Sequence, residues 1–334
     1  MTFRKSAVSL AVAGGLGSTV APALAVDIGG YGRLDVGLLY VDAGQEVTRE
    51  VDDFDDAGNF VRITENSGAD AFLDVSGINS RFGWKGSEDL GTGMNAIYRF
   101  EFRVLADDAN IEPSNRLSYV GLGNDTGSLT LGRQWSSQFN HVGTFLDPSW
   151  FVGNGYSLMG GAFRQSDMIK YAGSAGAITF DVDVRADGAF GGDPYADEYQ
   201  VHGTFDSGAF SFSGGIRNVV ASSGSDQQDI AIAGSIGIAK GAALRAGLIN
   251  RADDSDKDSL LAGINASIFT RGGLSFLIGV DSFMDDDGGE FDTVMGGVYN
   301  RLSKRTRVYA EILGVLPDVG ENATTLYAAI RHDY

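Results

Sequence analysis

The 334 residues include no cysteine, which excludes a disulfide framework and any thiolate-held metal. Cationic side chains are scarce: 25 Lys and Arg stand against 44 Asp and Glu, for a formal net charge of −19. Nucleic-acid binding rests on neutralising phosphates with Lys and Arg, so no nucleic acid is expected as a partner. The three histidines, His141, His202 and His332, are far apart and without metal-ligand spacing. No G-x-S-x-G nucleophile elbow occurs, and catalysis would need a nucleophile and a base fixed together. His202 with Asp197 or Glu198 is the one pairing that offers itself, and it reads more simply as a wall residue, so an enzyme is not expected. Proline numbers only 5, but an apolar fraction of 43% is ordinary and does not predict disorder. No stretch of about 18 apolar residues follows the N-terminal segment, which leaves no transmembrane helix.

What is present begins with a leader. Arg4 and Lys5 form a positive n-region, Ala7 to Val20 a small, mostly apolar h-region, and Ala23-Leu24-Ala25 a small-x-small cleavage site. This predicts a secretory signal peptide over residues 1–25 and a single domain over residues 26–334. A membrane anchor is the alternative, but the segment is short and glycine-rich for a span.

The rest of the chain alternates with period two. Ile178, Phe180, Val182 and Val184 oppose Thr179, Asp181 and Asp183. Met94, Ala96, Tyr98, Phe100 and Phe102 oppose Asn95, Arg99, Glu101 and Arg103. Leu274, Phe276, Ile278 and Val280 oppose Ser275, Gly279 and Asp281. Such alternation predicts strands with one apolar and one polar face. Short turns such as Gly91-Thr92-Gly93, Asp206-Ser207-Gly208 and Ser303-Lys304-Arg305-Thr306 alternate strictly with longer acidic connections, among them 42–70, 106–113, 136–162 and 253–258. Alternating long and short connections mean antiparallel neighbours with short turns at one rim and long loops at the other, the layout of a transmembrane barrel. The count is about sixteen strands. A sandwich shows the same pattern along one strand. Here, though, the polar face carries Arg99, Glu101, Arg103, Asp181, Asp183 and Arg217, which suits a wet lumen. The apolar face has many Gly and Ala positions, which pack a soluble core poorly but cost little against lipid. The chain stops on Tyr334, as an interfacial aromatic girdle would have it. The expected fold class is all-β, a transmembrane antiparallel β-barrel.

With that pattern in hand, Gly30-Tyr31-Gly32-Arg33-Leu34-Asp35, Ser80-Arg81-Phe82-Gly83-Trp84-Lys85-Gly86-Ser87-Glu88-Asp89-Leu90-Gly91, Asn115-Arg116-Leu117-Ser118-Tyr119-Val120-Gly121-Leu122 and Ile330-Arg331-His332-Asp333-Tyr334 resemble, in order and spacing, the trimeric sixteen-stranded general porins of the Gram-negative outer membrane. A final Tyr where Phe is usual and an unusually acidic first loop are departures. The resemblance implies a homotrimer in outer-membrane lipid and lipopolysaccharide, passing small polar solutes and ions by diffusion. It implies a third external loop, here 136–162, folded into the lumen. It also implies wall arginines at Arg81, Arg116 and Arg164 facing acids on that loop, where Asp147 is the one carboxylate. Parity independently turns Arg81 inward opposite Phe82 and Trp84, and Arg116 inward opposite Leu117 and Tyr119. The alternative is that these arginines merely solvate a wide lumen.

Other readings stay open at this level. The loop aromatics Trp135, Phe139, Phe145, Trp150, Phe151 and Tyr156 would suit a substrate-selective channel by stacking on sugars, or would fasten the loop to the wall. An adhesive or receptor barrel with little conductance is a further alternative. The aspartate runs at 52–56, 253–258 and 285–287 would suit Ca²⁺ or Mg²⁺, or simply solvate the loops, and no other cofactor is expected. Arg133 shares parity with the outward Leu129 and Leu131. An arginine facing mid-membrane lipid costs about 2–4 kcal/mol, so it is expected at a subunit interface, paired with an acid such as Asp108 or Glu112 of another chain. A local bulge turning it into the lumen is the alternative.

Overall fold

A strand whose backbone faces lipid on one side must pair on both edges, because hydrocarbon offers no partner for N–H and C=O. The computed structural model meets this condition by closure. It describes residues 26–43, 48–54, 60–66, 71–77, 79–107, 114–186, 196–220, 226–254, 257–270, 272–286 and 288–334; the expected leader lies outside these. In chain order the strands are β1 Val26–Asp42, β2 Thr48–Phe54, β3 Phe60–Asn66, β4 Ala71–Ser76, β5 Arg81–Asp89, β6 Asn95–Arg103, β7 Ser114–Gly123, β8 Gly127–Trp135, β9 Arg164–Ala175, β10 Ile178–Arg185, β11 Glu198–Asp206, β12 Phe210–Val219, β13 Gln227–Ala239, β14 Ala242–Asp253, β15 Asp258–Phe269, β16 Leu274–Asp285, β17 Phe291–Arg301, β18 Thr306–Pro317 and β19 Ala323–Asp333.

From β5 to β19 each strand of the wall follows its predecessor antiparallel, and β1 closes the ring by pairing with β19 from Arg33↔Asp333 to Asp42↔Thr324. On its other edge β1 pairs with β5 through residues 26–33 and with β4 through residues 37–42. These two short strands are therefore one wall strand broken near Ser80, and the barrel has sixteen. Strands β2 and β3 form a separate hairpin in the first long connection. Every short turn and long connection foreseen above falls between two wall strands, in the expected order.

The faces are inverted relative to a soluble protein. Leu34, Leu38, Ile278 and Ile330 are exposed, while Asp35, Glu101, Asp229, Thr293 and Glu311 are buried. The outward apolar band and inward polar face are those of a barrel in lipid.

The register slips at three places, one of them between Gly237 and Ala239 at the end of β13; the other two bear on the arginines. Between β6 and β7 the register slips, with Glu101 opposite Leu117 but Phe102 opposite Asn115. Arg116 and Leu117 are consequently both buried. Leu117 does not face outward as alternation had implied; the bulge, not simple parity, brings Arg116 inside. Between β8 and β9, Gly132 opposes Met168 and Gln134 opposes Gln165. The extra residue is thus on β9, where Asp167 takes a positive φ of 58°. Beside this bulge, opposite Met168, Gly132 has φ +120°, backbone territory that a side chain rarely tolerates.

The closing seam is tightly built. Gly32 and Tyr334 exchange backbone hydrogen bonds of 3.1 Å in both directions, and Arg33 Nε lies 2.7 Å from Asp333 Oδ1. A Cβ on Gly37 would stand 2.5 Å from Ala329 Cβ and 2.7 Å from Ala329 Cα. Gly37→Val is expected to overpack this seam and cost about 1–3 kcal/mol. The check is the urea midpoint of refolding in detergent micelles, followed by the heat-modifiable gel shift; an unchanged midpoint would show that the seam has slack.

Candidate functional site

The connection between β8 and β9, residues 136–163, contains three short helical turns at Phe139–Gly143, Thr144–Leu146 and Gly155–Leu158. It is fastened to the polar faces of strands around much of the ring. Asp183 on β10 accepts the Ser137 N–H at 2.5 Å, and Asp181 accepts Asn140 Nδ2 at 2.9 Å. Gln200 on β11 accepts the Gln138 N–H, and Asp229 on β13 accepts Gln138 Nε2 at 3.0 Å. Asn265 on β15 donates to the Phe145 carbonyl, and Asp281 on β16 accepts the Gly155 N–H at 3.0 Å. Glu311 on β18 accepts three consecutive backbone N–H groups, from Trp150, Phe151 and Val152, at 2.6, 2.8 and 3.1 Å, and the Tyr299 hydroxyl at 2.7 Å. Charge-assisted bonds of this kind are about twice as strong as neutral ones. Between them Val142, Leu146 and Tyr156 pack on Ala231, Ala233, Ile249 and Leu261. The two alanines leave room on the wall for the loop's apolar side chains.

The loop aromatics do fasten. Trp135 stacks on Phe139 at 4.4 Å, Phe151 on Tyr327 at 3.5 Å, and Trp150 packs on Tyr299 and Tyr309. Cations cap them: Arg164 lies 4.6 Å over Trp135, and Arg331 4.5 Å over Trp150.

The arginines gather on β5, β6, β7 and β9, strands that supply none of these loop anchors. Glu101 on β6 is their centre. Arg116 Nε is 2.8 Å and Arg81 Nε 3.9 Å from its Oε1, and Arg99 is 2.9 Å from Oε2, which also accepts the Tyr31 hydroxyl. Arg164 is within electrostatic reach of Arg116, Arg103 and Glu101. So Arg81, Arg116 and Arg164 come together, and Arg99 and Glu101 belong with them. Parity had already placed Glu101 inside beside Arg99 and Arg103; what the sequence withheld was that one wall carboxylate sits among them.

Asp147 stands apart from this group. Its carboxylate accepts the Ser149 hydroxyl at 3.4 Å and lines a pocket with Trp150, Arg245, Ser267 and Tyr299. Burial pushes its carboxyl up to about 7, helped by the nearby charges of Glu311 and Asp281. The carboxylate in contact with the wall arginines is Glu101, on the wall itself. Arg133 is opposite Ser118, on the face that carries the exposed Val120 and Leu122. It donates to the Asn115 carbonyl at 3.1 Å and to Ser166 Oγ at 2.9 Å, within its own chain. Asp108 and Glu112 lie outside the described residues. His202 meets Ser137 Oγ at 3.0 Å beneath the loop, while Glu198 is held by Arg217 and Gln165.

A closed barrel with its charged wall inside is shared by a family, and residues 7–313 match the Gram-negative porins. The chain belongs to that family. Among relatives it is similar to the major outer membrane protein P.IA of Neisseria meningitidis serogroup B, 27% identical over 170 residues, which is 47% of this chain and 43% of that protein. It is also 26% identical over 151 residues to P.IB of Neisseria gonorrhoeae, 42% of this chain and 40% of that one. The match thus spans less than half the length of these relatives. In fold it is similar to an anion-selective porin from Comamonas acidovorans, with TM-score 0.69 and 20% identity over 92% of this chain and all of that one. The trimer form of OmpT of Vibrio cholerae gives TM-score 0.66 and 15% identity over 92% and 99%. As a porin by family and fold, the chain is an outer-membrane protein.

Glu311→Ala would leave three N–H groups without their acceptor, at about 1–3 kcal/mol for each that stays buried. The loop around Trp150 is expected to loosen. Because the chain has no cysteine, a spin label at Ser149→Cys is a unique reporter; its spectrum should sharpen in Glu311→Ala, and an unchanged line shape would mean the aromatics alone hold the loop.

Proposed function

We propose that this porin is a passive diffusion channel for small hydrophilic solutes, that residues 136–163 narrow it midway, and that the narrow part favours anions. The observation that carries the reading is the separation of charge on the polar wall. Asp183, Asp281 and Glu311 accept backbone N–H groups of the loop, and Asp229 and Asp181 accept its side-chain amides. Arg81, Arg99 and Arg116 share the single carboxylate of Glu101. Rings of charge at a constriction set ion preference. The Comamonas barrel named for anion selectivity has the same fold, which is consistent with this preference. The acidic loops pull the other way at the outer mouth, and their effect fades with salt, since exposed charges are screened beyond about 10 Å at 0.1 M. Those loops, beside lipopolysaccharide, are where Ca²⁺ or Mg²⁺ would gather.

The assembly proposed is a homotrimer, the form recorded for OmpT of Vibrio cholerae. Arg133 on the outward face is the residue proposed at its interface. Arg133→Ala is expected to lower the trimer's dissociation temperature on native gels and leave ion selectivity alone; the opposite pattern would assign Arg133 to the pore.

Reversal potentials in a KCl gradient across planar bilayers test the channel. Wild type should favour chloride, and neutralising Arg81 and Arg116 together should move the potential toward potassium; no movement would remove them from the narrow point. The preference should also depend on pH. The Asp147 carboxyl, raised to about 7 by burial, is neutral below that pH and charged above it. Chloride preference should therefore weaken as pH rises from about 6 to 8, and Asp147→Asn should flatten that dependence.

A further inference from the structure

Cross-strand register places more arginines in line than the constriction needs. Residues directly opposite in an antiparallel pair share a face, with Cβ atoms about 4.5–5.5 Å apart. Arg301 on β17 is opposite Arg307 on β18, which is opposite Arg331 on β19. Past the seam, Arg33 on β1 is opposite Arg81 on β5, which is opposite Arg103 on β6. All six share the inward face with the buried Tyr299, Tyr309, Tyr327, Asp35 and Glu101. Asp333 joins the two triplets: its carboxylate is 2.7 Å from Arg33, 3.5 Å from Arg307 and 3.7 Å from Arg331.

Like charges directly opposite one another destabilise a sheet. A wall that had only to be wet could use serine or threonine at these positions. The triplets also have a direction. Arg301 adjoins the short turn 302–305, and Arg103 ends β6 just before the long connection to β7. The line therefore climbs from the short-turn rim to the long-loop rim. Its lower half is capped by Trp150, with Arg331 at 4.5 Å and Arg307 at 5.5 Å from the ring. Arg331 is buried, and its Nε has no hydrogen-bond partner.

We infer that the two triplets are successive stations for a divalent oxyanion of the phosphate or sulfate type, with the lower station at Arg301, Arg307 and Arg331 a binding site distinct from the constriction. Neighbouring guanidiniums this close can both donate to one tetrahedral anion, each through a planar fork that fits two oxygens. A monovalent ion such as chloride or nitrate gains about half the Coulombic attraction from each guanidinium that a divalent one does. Transfer between stations is by exchange at Asp333, whose carboxylate contacts both triplets and holds whichever arginines the anion has left. The inference rests on the anion-favouring channel proposed above.

The test measures chloride current through single trimers in dilute KCl, about 0.1 M so that screening does not erase the effect. Sodium sulfate, sodium phosphate or sodium nitrate is added at millimolar levels, roughly the weak affinity that a conducting site needs, from the short-turn side. Sulfate and phosphate should reduce the current saturably, and nitrate should not. Block by phosphate but not sulfate would narrow the site to phosphate-bearing solutes and still support it. The double variant Arg301→Gln, Arg307→Gln should raise the half-blocking concentration roughly tenfold while the KCl reversal potential still favours chloride. Arg307→Lys keeps the charge and loses the fork, and should also weaken the block. Absence of block, block equal for nitrate, or block unmoved by both variants overturns the inference. If wild type instead favours potassium in the KCl gradient, the underlying channel reading fails first. Heat-modifiable trimers on gels confirm that each variant has folded.

Discussion

Everything in this molecule depends on the pairing of β1 with β19. In hydrocarbon an unpaired sheet edge would leave a row of N–H and C=O groups without partners, each costing several kcal/mol. The ten residue pairs from Arg33↔Asp333 to Asp42↔Thr324 remove both edges at once. Once the sheet is closed, period-two alternation becomes a division of space. The apolar set must face lipid and the polar set must face a lumen, so most of the wall's charge, Arg133 being an exception, is directed to the interior before any functional demand is considered.

A polar face lined with carboxylates and guanidiniums raises a second problem, because the 136–163 connection bonded to it brings its own unpaired backbone. Short helical turns satisfy few N–H groups internally. The wall acids answer that need: Glu311 covers three successive N–H groups, Asp281 covers that of Gly155, and Asp183 covers that of Ser137. The bonds that order the loop thus occupy Glu311 and Asp281 with backbone N–H groups, whereas Asp229 and Glu198 also pair with Arg217. Positioning of the loop and the electrostatic character of the remaining wall are two results of one set of hydrogen bonds.

Much of this was legible in the chain because strand parity and turn chemistry are local. Ile178 to Val184 needed no structure to be read as a strand, and the alternation of short and long connections fixed the antiparallel order and the count near sixteen. Arg81 was placed correctly for the right reason, since Phe82 and Trp84 face the other way. Arg116 is buried by a route that parity does not show: a bulge opposite Glu101 breaks the alternation, and nothing in Asn115-Arg116-Leu117 announces it. Asp147 is recognisable in the chain as the one carboxylate of its loop, but its contact with Ser149 and its pocket with Trp150 and Arg245 depend on how the loop lies on the wall. Long-range register is likewise invisible in sequence. The opposition of Arg301 to Arg307 across a short turn could have been worked out from hairpin geometry, whereas Arg33 opposite Arg81 depends on where a chain returns after a long excursion.

The charge arrangement also answers why a chain so acidic as a whole should favour anions. Net charge acts through solvent, where two unit charges 4 Å apart interact by only about 1 kcal/mol. Near protein walls, at an effective dielectric of about 20, the same pair is worth about 4 kcal/mol. The acidic loops at the mouth belong to the first regime. Arg81, Arg99 and Arg116, half-buried or buried around Glu101, belong to the second. Around Glu101 three guanidiniums stand for one carboxylate, at several times the weight per charge of the mouth. A formal charge of −19 describes the protein seen from outside; under the proposed constriction, the sign of ion preference follows the few side chains around Glu101.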